Sequence, residues 1–281
     1  IIIADRDLRN SAAYKIIVSI GVADCLQLVV HVYSGLITLT ENNFGNRFEK
    51  LMGGLANASW LAMVPQTLML ALNRLYIFKN PNKNQNLYSV LVMLIFCWIF
   101  GGAFFILYLT SLTGIIYNHK NFYWTYDSGA WSSIVSTTDV YISLLFICLT
   151  FIVYMAVVVT IVFMNYMHVT FQRSSLTSNQ QLLVKREFML LIQSFVIFLY
   201  TVVLICCWHY YMYFLPDSPW TPVVINVFWV LFGALNPVLY LTMNSTIRER
   251  SLKIFVFCGK KASNIPFFMG PKQPFEVPKV I

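Results

Sequence analysis

The sequence predicts an all-α membrane protein, and three observations predict it. Hydrophobic residues fill 58% of the 281 positions and charged residues only 11%, with a mean hydropathy of +0.68, too apolar for a soluble chain of this length. Six stretches, near 14–39, 51–78, 88–114, 134–167, 188–215 and 221–243, are long enough as helices to cross a bilayer. None alternates polar and apolar residues as a barrel strand would, so each reads as a helix that satisfies its own backbone in lipid.

The connections orient these spans. Arg6, Arg9 and Lys15, then Arg74, Lys79 and Lys83, then Arg173, Lys185 and Arg186, and seven residues between Arg248 and Lys279 fall on one side, sixteen of the nineteen Lys and Arg. Only Arg47, Lys50 and Lys120 fall on the other. Cytoplasmic loops collect positive charge, so the first side reads as the inner one. The net charge of +8 is then a topology signal and a pull toward anionic inner-leaflet lipid, and no nucleic acid is expected as a partner. Ile1-Ile2-Ile3, directly before the charged turn Asp5-Arg6-Asp7-Leu8-Arg9, read as the inner end of a further helix almost entirely missing from this chain. The expectation is therefore seven spans, with the N-terminus of the full-length protein outside and the C-terminus cytoplasmic.

Each span carries a few residues that lipid would not choose. The first has Asp24, about ten residues from the inner edge. A carboxylate there must be neutralised, hydrogen-bonded or ion-bound, so it faces the bundle either as a functional group or as a protonated tie between helices. His31, two turns outward, reads as a satisfied core histidine, since no second metal ligand stands near it at helical spacing.

The stretch 51–78 carries no charge before Asn73-Arg74, so its guanidinium stands at the inner rim. Taken alone, Arg74 is a snorkelling, positive-inside arginine. Pro65 should bend this helix, Gly53-Gly54 invites close approach at its outer end, and Trp60 lies about 21 Å above Arg74. Trp98, beside Gly101-Gly102 in the third run, suits a ring packed on a closely approached backbone. The outer loop 115–133 holds Tyr117, Phe122, Tyr123, Trp124, Tyr126 and Trp131, which read as an interfacial belt or as a lid over a pocket.

Asp139 stands near the outer end of the fourth run. The segment 168–184, rich in Ser, Thr and Gln, reads as a mobile inner loop. The fifth run climbs through Cys206-Cys207-Trp208-His209-Tyr210, and the last contains Asn236-Pro237-Val238-Leu239-Tyr240, where Pro237 removes a helix hydrogen bond and Asn236 can take the freed carbonyl or reach Asp24. Past Met243, Ile247, Ser251, Ile254/Phe255 and Cys258 share one face of a short amphipathic helix on the inner leaflet. Cys258, beside the membrane and before Lys260-Lys261, suits S-palmitoylation or stays a thiol. The other five cysteines fall in spans as small packing residues. Residues 1–258 thus form one transmembrane unit and 259–281 a flexible basic cytoplasmic tail.

These residues resemble a known pattern. Asp24, Arg74, Trp98 and Asn236-Pro237-Val238-Leu239-Tyr240 on the second, third, fourth and seventh of seven spans, with an amphipathic helix after them, are similar to the rhodopsin-like G-protein-coupled receptors. The stretches RDLRNSAAYKII, ALNR, YYMYFLP and LYLTMNSTIRE resemble the nematode serpentine chemoreceptors, class T most of all. The resemblance implies a seven-transmembrane-helix receptor bundle in the plasma membrane, sensory cilia included. Its partners would be a heterotrimeric G protein, a small-molecule ligand and the lipid bilayer. No cofactor and no resident metal are implied.

The resemblance assigns the switch and G-protein coupling to Asn73, Arg74, Tyr240, Asn236, Pro237 and Asp24, and ligand binding to Asn57, Trp60, Trp208, Tyr211 and Asn226. The bland alternative for the ligand residues is core packing. Several positions depart from the receptor pattern. Asn73 replaces the acid that usually pairs with the arginine, Tyr210 replaces the proline of the sixth helix, and Met63 replaces a polar residue that helps the second-helix acid hold sodium. No cysteine is placed for the usual disulfide at the outer end of the third helix. With no carboxylate on the outer half of that helix, a neutral or weakly polar ligand is expected rather than a cationic amine. The rival class is a ligand-gated cation channel or a transporter, against which stand the inferred orientation and the lack of a filter-like loop. An enzyme is disfavoured, since neither HExxH nor GxSxG occurs.

Overall fold

Six long helices and one short hairpin make up the computed structural model, which describes residues 11–79, 86–119, 121–170, 178–218, 220–243, 248, 249 and 251. In chain order they are α1 (Ala12–Thr40), α2 (Asn46–Lys79), α3 (Leu87–Tyr108), β1 (Ile115–Asn118), β2 (Tyr123–Tyr126), α4 (Ser132–Thr170), α5 (Ser178–Tyr210) and α6 (Trp220–Met243). A single 3-10 turn, Tyr211–Tyr213, follows α5. All six helices contain a stretch apolar and long enough to span a membrane. They correspond to the second to seventh spans of the seven-span expectation. Ile1-Ile2-Ile3, on which a further helix was inferred, lie outside the described residues. So do Cys258, the tail 259–281 and most of the expected amphipathic helix, of which Arg248, Glu249 and Ser251 are helical.

Helix α2 is the hub. It packs against α1, α3, α4, α5 and β1, and 67% of its most apolar window is buried, against 22% for α3 and for α4. Hydropathy follows the same order in reverse: α2 is the least apolar span, whereas α3 and α4 are the most apolar. A helix surrounded by protein is free to carry Asn, Gln, Ser and Thr, while one facing acyl chains is not. Glycine sets the closest of the helix-to-helix contacts, since a Cβ at Gly101 of α3 would lie 2.6 Å from the Ala58 carbonyl oxygen and 2.7 Å from Ala62 Cβ, both on α2. Gly102 faces open space instead, and Trp98 donates from Nε1 to Ser19 Oγ on α1 at 2.9 Å. The glycine contact thus belongs to α2 rather than to the Trp98 ring.

The structure departs from the sequence reading at several places, α2 beginning already at Asn46. α3 stops at Tyr108, six residues before the expected end, because Thr110 to Gly114 turn the chain and the Lys50 ammonium takes the Thr110 and Thr113 carbonyls at 3.1 and 3.4 Å. α5 starts at Ser178, inside the expected loop, since the Gln, Leu and Lys residues that follow are good helix formers. The aromatic loop contains a two-stranded antiparallel hairpin with Ile115 opposite Tyr126 and Asn118 opposite Tyr123. Its β-branched and aromatic residues suit a pleated, half-buried surface.

The cysteines also divide. Among the described cysteines only Cys97 is buried, with its Sγ 3.7 Å from Met69 Sδ, whereas Cys25 and Cys148 are exposed on the helix surface.

Candidate functional site

At the hairpin end of the bundle, four elements bring together a carboxylate, two phenols and an amide. Asp139 of α4 accepts at Oδ2 from Tyr108 Oη of α3 and Tyr126 Oη of β2, each at 2.5 Å, and from Asn57 Nδ2 of α2 at 2.8 Å. Asp139 is only 3% exposed, and three donors on one oxygen offset much of the cost of burying it. Burial, together with the neighbouring Asp139, holds the Tyr126 phenol well above its ordinary value, so it remains a protonated donor. The other carboxylate oxygen, Asp139 Oδ1, is buried and makes no hydrogen bond.

A cavity of about 310 Å³ lies under the hairpin, faced by His31, Asn57, Tyr126, Trp208, His209, Tyr211 and Trp229 among others. An annex of about 20 Å³ adjoins it and is lined by Asp139, Asn57, Trp60, Tyr126, Ser143 and Trp208 among others. That is room for one water-sized group. The floor is aromatic: Trp229 meets His31, Trp60 and Trp208 edge-on, with ring centroids 5.4, 5.6 and 4.6 Å apart. From Trp229, polar contacts descend toward the opposite end. Trp229 Nε1 donates to Gln27 Oε1 at 2.7 Å, and one turn below Gln27 the buried Asp24 accepts from Asn236 Nδ2 at 2.8 Å. Of the two partners the sequence allowed Asn236, folding selects Asp24. Pro237 is accommodated within α6, which continues to Met243. The side chain of Tyr240 lies outside the described residues.

The hairpin is fastened to α2 by charge. Lys50 Nζ pairs with Asp127 Oδ2 at 2.6 Å, and Glu49 Oε1 accepts from the Tyr117 backbone N–H at 2.8 Å. Gly53 leaves room for Ile115, whose carbonyl a Cβ there would strike. Burial pushes the Asp127 carboxyl up, but hydrogen bonds from Lys50, Ser132 and the Gly129 N–H, with the Lys50 charge, outweigh it and hold the group below its ordinary value. These contacts stand at the end of the helix where rhodopsin-like receptors carry a disulfide. The lid reading of the aromatic loop is the one that matches this geometry.

At the opposite end, Asn73 and Arg74 are 1% and 2% exposed. Arg74 is therefore packed inside the bundle, which corrects the snorkelling reading: protein, not lipid headgroups, surrounds this side chain. Tyr154 of α4 lies within electrostatic reach of Arg74 and shares a hydrogen bond with Ser194 of α5. Tyr154 thus joins α4 to α5 beside the buried guanidinium.

Of the residues assigned to ligand binding from sequence, Asn57 and Trp208 face both spaces, Tyr211 faces the cavity and Trp60 the annex. Asn226 lines neither. Its Nδ2 instead donates to the Phe122 carbonyl at the hairpin tip at 2.5 Å. Sequence reasoning missed Asp139, Tyr108, Tyr126, His31 and His209. The signal for Asp139 was present, since an acid within a span is a functional-site candidate by the same reasoning as Asp24. The expectation that the outer half of the third helix lacks a carboxylate fails, since α2 begins at Asn46 rather than near residue 51 and carries the buried Glu49 in its first turn, and the fold brings a second acid, Asp139, from α4.

Residues 1–264 match the family described as serpentine type 7TM GPCR chemoreceptor Srt. The chain belongs to this family. It is a multi-pass membrane receptor of the chemoreceptor class that the ALNR and LYLTMNSTIRE stretches resemble. The receptor is also similar to the crystal structure of squid rhodopsin, with a TM-score of 0.69 and 15% identity over 90% of this chain and 78% of that one. At that identity the likeness shows the rhodopsin fold and no more. A search of curated proteins finds no match.

Proposed function

We propose that this receptor binds a small, weakly polar molecule from outside the cell in the cavity under the hairpin and activates a heterotrimeric G protein at the Arg74 end. In this reading the hairpin end faces outward and the Arg74 end faces the cytoplasm of a sensory cell. The observation that carries it is the pairing, within one bundle, of an aromatic cavity roofed by a hairpin and a buried arginine at the far end of the same helix, α2. Ligand shifts a pre-existing equilibrium toward a state in which α5 swings away from α2. Arg74, released from its packing beside Tyr154, then meets the G protein's C-terminal helix, while Tyr240 turns inward and the Asp24–Asn236 pair adjusts. Cys258, once palmitoylated, would hold the segment after α6 on the inner leaflet.

The test is nucleotide exchange by a heterotrimeric G protein on full-length receptor in nanodiscs, screened against odorants and lipids. A stimulating ligand should be found, and Arg74→Ala should reduce exchange to the background of empty discs while ligand binding is retained. Exchange that survives Arg74→Ala removes the assigned role. Ligand-gated ion flux through receptor liposomes without exchange would favour a channel instead.

A further inference from the structure

We infer that Asp139 is the polar anchor for the ligand: a molecule seated under the hairpin directs a hydroxyl or amine N–H donor into the annex, onto Asp139 Oδ1. This rests on reading the cavity as the ligand site, and it names the chemical class that site selects. Asp139 Oδ2 is already used by Tyr108, Tyr126 and Asn57. Those three donors come from three elements, so they fix the carboxyl group in place and leave one edge unused. The unused edge belongs to Oδ1, a buried acceptor without a partner, in a residue that lines the annex. A buried acceptor is costly to leave unmade, and the free energy is recovered by whichever group supplies a donor.

The surroundings restrict what can do so. The annex holds about 20 Å³, enough for a hydroxyl or ammonium head and not for a branched group. Asn57, Tyr126, Trp208, His209 and Trp229 line both annex and cavity, so one ligand can rest its apolar body among the rings while its head enters. An ether or ketone of the same shape brings a lone pair to a carboxylate oxygen and is rejected. This is the case in which hydrogen-bond complementarity discriminates more strongly than shape.

The substitution that tests this is Asp139→Asn. The amide keeps the shape and one oxygen, which can still accept from the two phenols and Asn57. Its NH₂ then occupies the formerly unused edge, turning an acceptor into a donor. Reconstituted receptor is titrated with benzyl and C4 to C8 alkyl alcohols, each paired with an isomeric ether, and with the corresponding primary amines, each paired with its trimethylammonium analogue. Binding is read from tryptophan fluorescence, since Trp208 and Trp229 line the cavity.

In the unaltered receptor, alcohols or amines should bind at least about tenfold more tightly than their partners, and which of the two leads tells whether the head is neutral or charged. In Asp139→Asn that preference should disappear or reverse toward the ethers. Equal binding of alcohol, ether and trimethylammonium by the unaltered receptor overturns the anchor, and so does failure of every donor-bearing compound to bind. A preference unchanged in Asp139→Asn overturns it too. Should the variant misfold, the isomer pairs on the unaltered receptor decide alone. Donor-selective binding without nucleotide exchange would leave the anchor standing and count against the coupling proposed above.

Discussion

Asn73 and Arg74 occupy the last turns of α2, both almost wholly buried, and an uncharged amide stands beside the guanidinium where most rhodopsin-like receptors have an acid. A carboxylate in its place would pair with Arg74 and add a restraint that must be broken before α5 can move. Asn73→Asp should therefore lower basal nucleotide exchange several-fold and weaken the apparent affinity for a stimulating ligand in step. Basal exchange that stays level or rises in reconstituted receptor would show that Arg74 is restrained by other means. At the same scale, Asp139 shows how a residue's role depends on partners far away in the chain. Its three donors come from positions 57, 108 and 126, and no local pattern links them.

Elements fail or hold by their fasteners. The hairpin has no cysteine, and no disulfide was expected there; the Lys50–Asp127 pair and the Glu49–Tyr117 contact hold it to α2. Because Asp127 lies below its ordinary value in the folded state, its contribution is fully present above that ordinary value. It is lost as pH falls through the lowered one. Thermal stability of the reconstituted receptor should thus show no loss from this pair near neutral pH, and its strongly acid decline should shrink in Asp127→Asn. At neutral pH, Lys50→Met and Asp127→Asn should each cost about 1–3 kcal/mol, with the double variant costing less than their sum. Additive losses would mean that the two side chains act independently. Reducing agents should leave ligand binding unchanged.

At the scale of the molecule, the bundle is organised around α2, and the closest helix approach depends on a missing side chain. Gly101→Val should force α2 and α3 apart and destabilise the receptor by about 1–3 kcal/mol. Gly102→Ala, one residue along and facing open space, should be close to neutral. Thermal unfolding in nanodiscs separates the two, and equal effects would remove the close-packing account.

What the sequence by itself determined was the solvent, the number and extent of the apolar runs, and the residues that could not face lipid. Each of these depends on composition and on local hydrophobic length, which neighbouring residues carry in full. It also placed Asp24 and Asn236 inside the bundle, because polar groups within a span must turn inward. Only the tertiary structure decided who meets whom. It set Asp139 among Tyr108, Tyr126 and Asn57, buried Arg74 instead of exposing it to headgroups, and moved Asn226 from the cavity to the hairpin tip. It also replaced a loop by a hairpin fastened through Glu49 and Lys50. Such pairings join residues far apart in the chain, and they are fixed by how the other helices and the hairpin pack around α2.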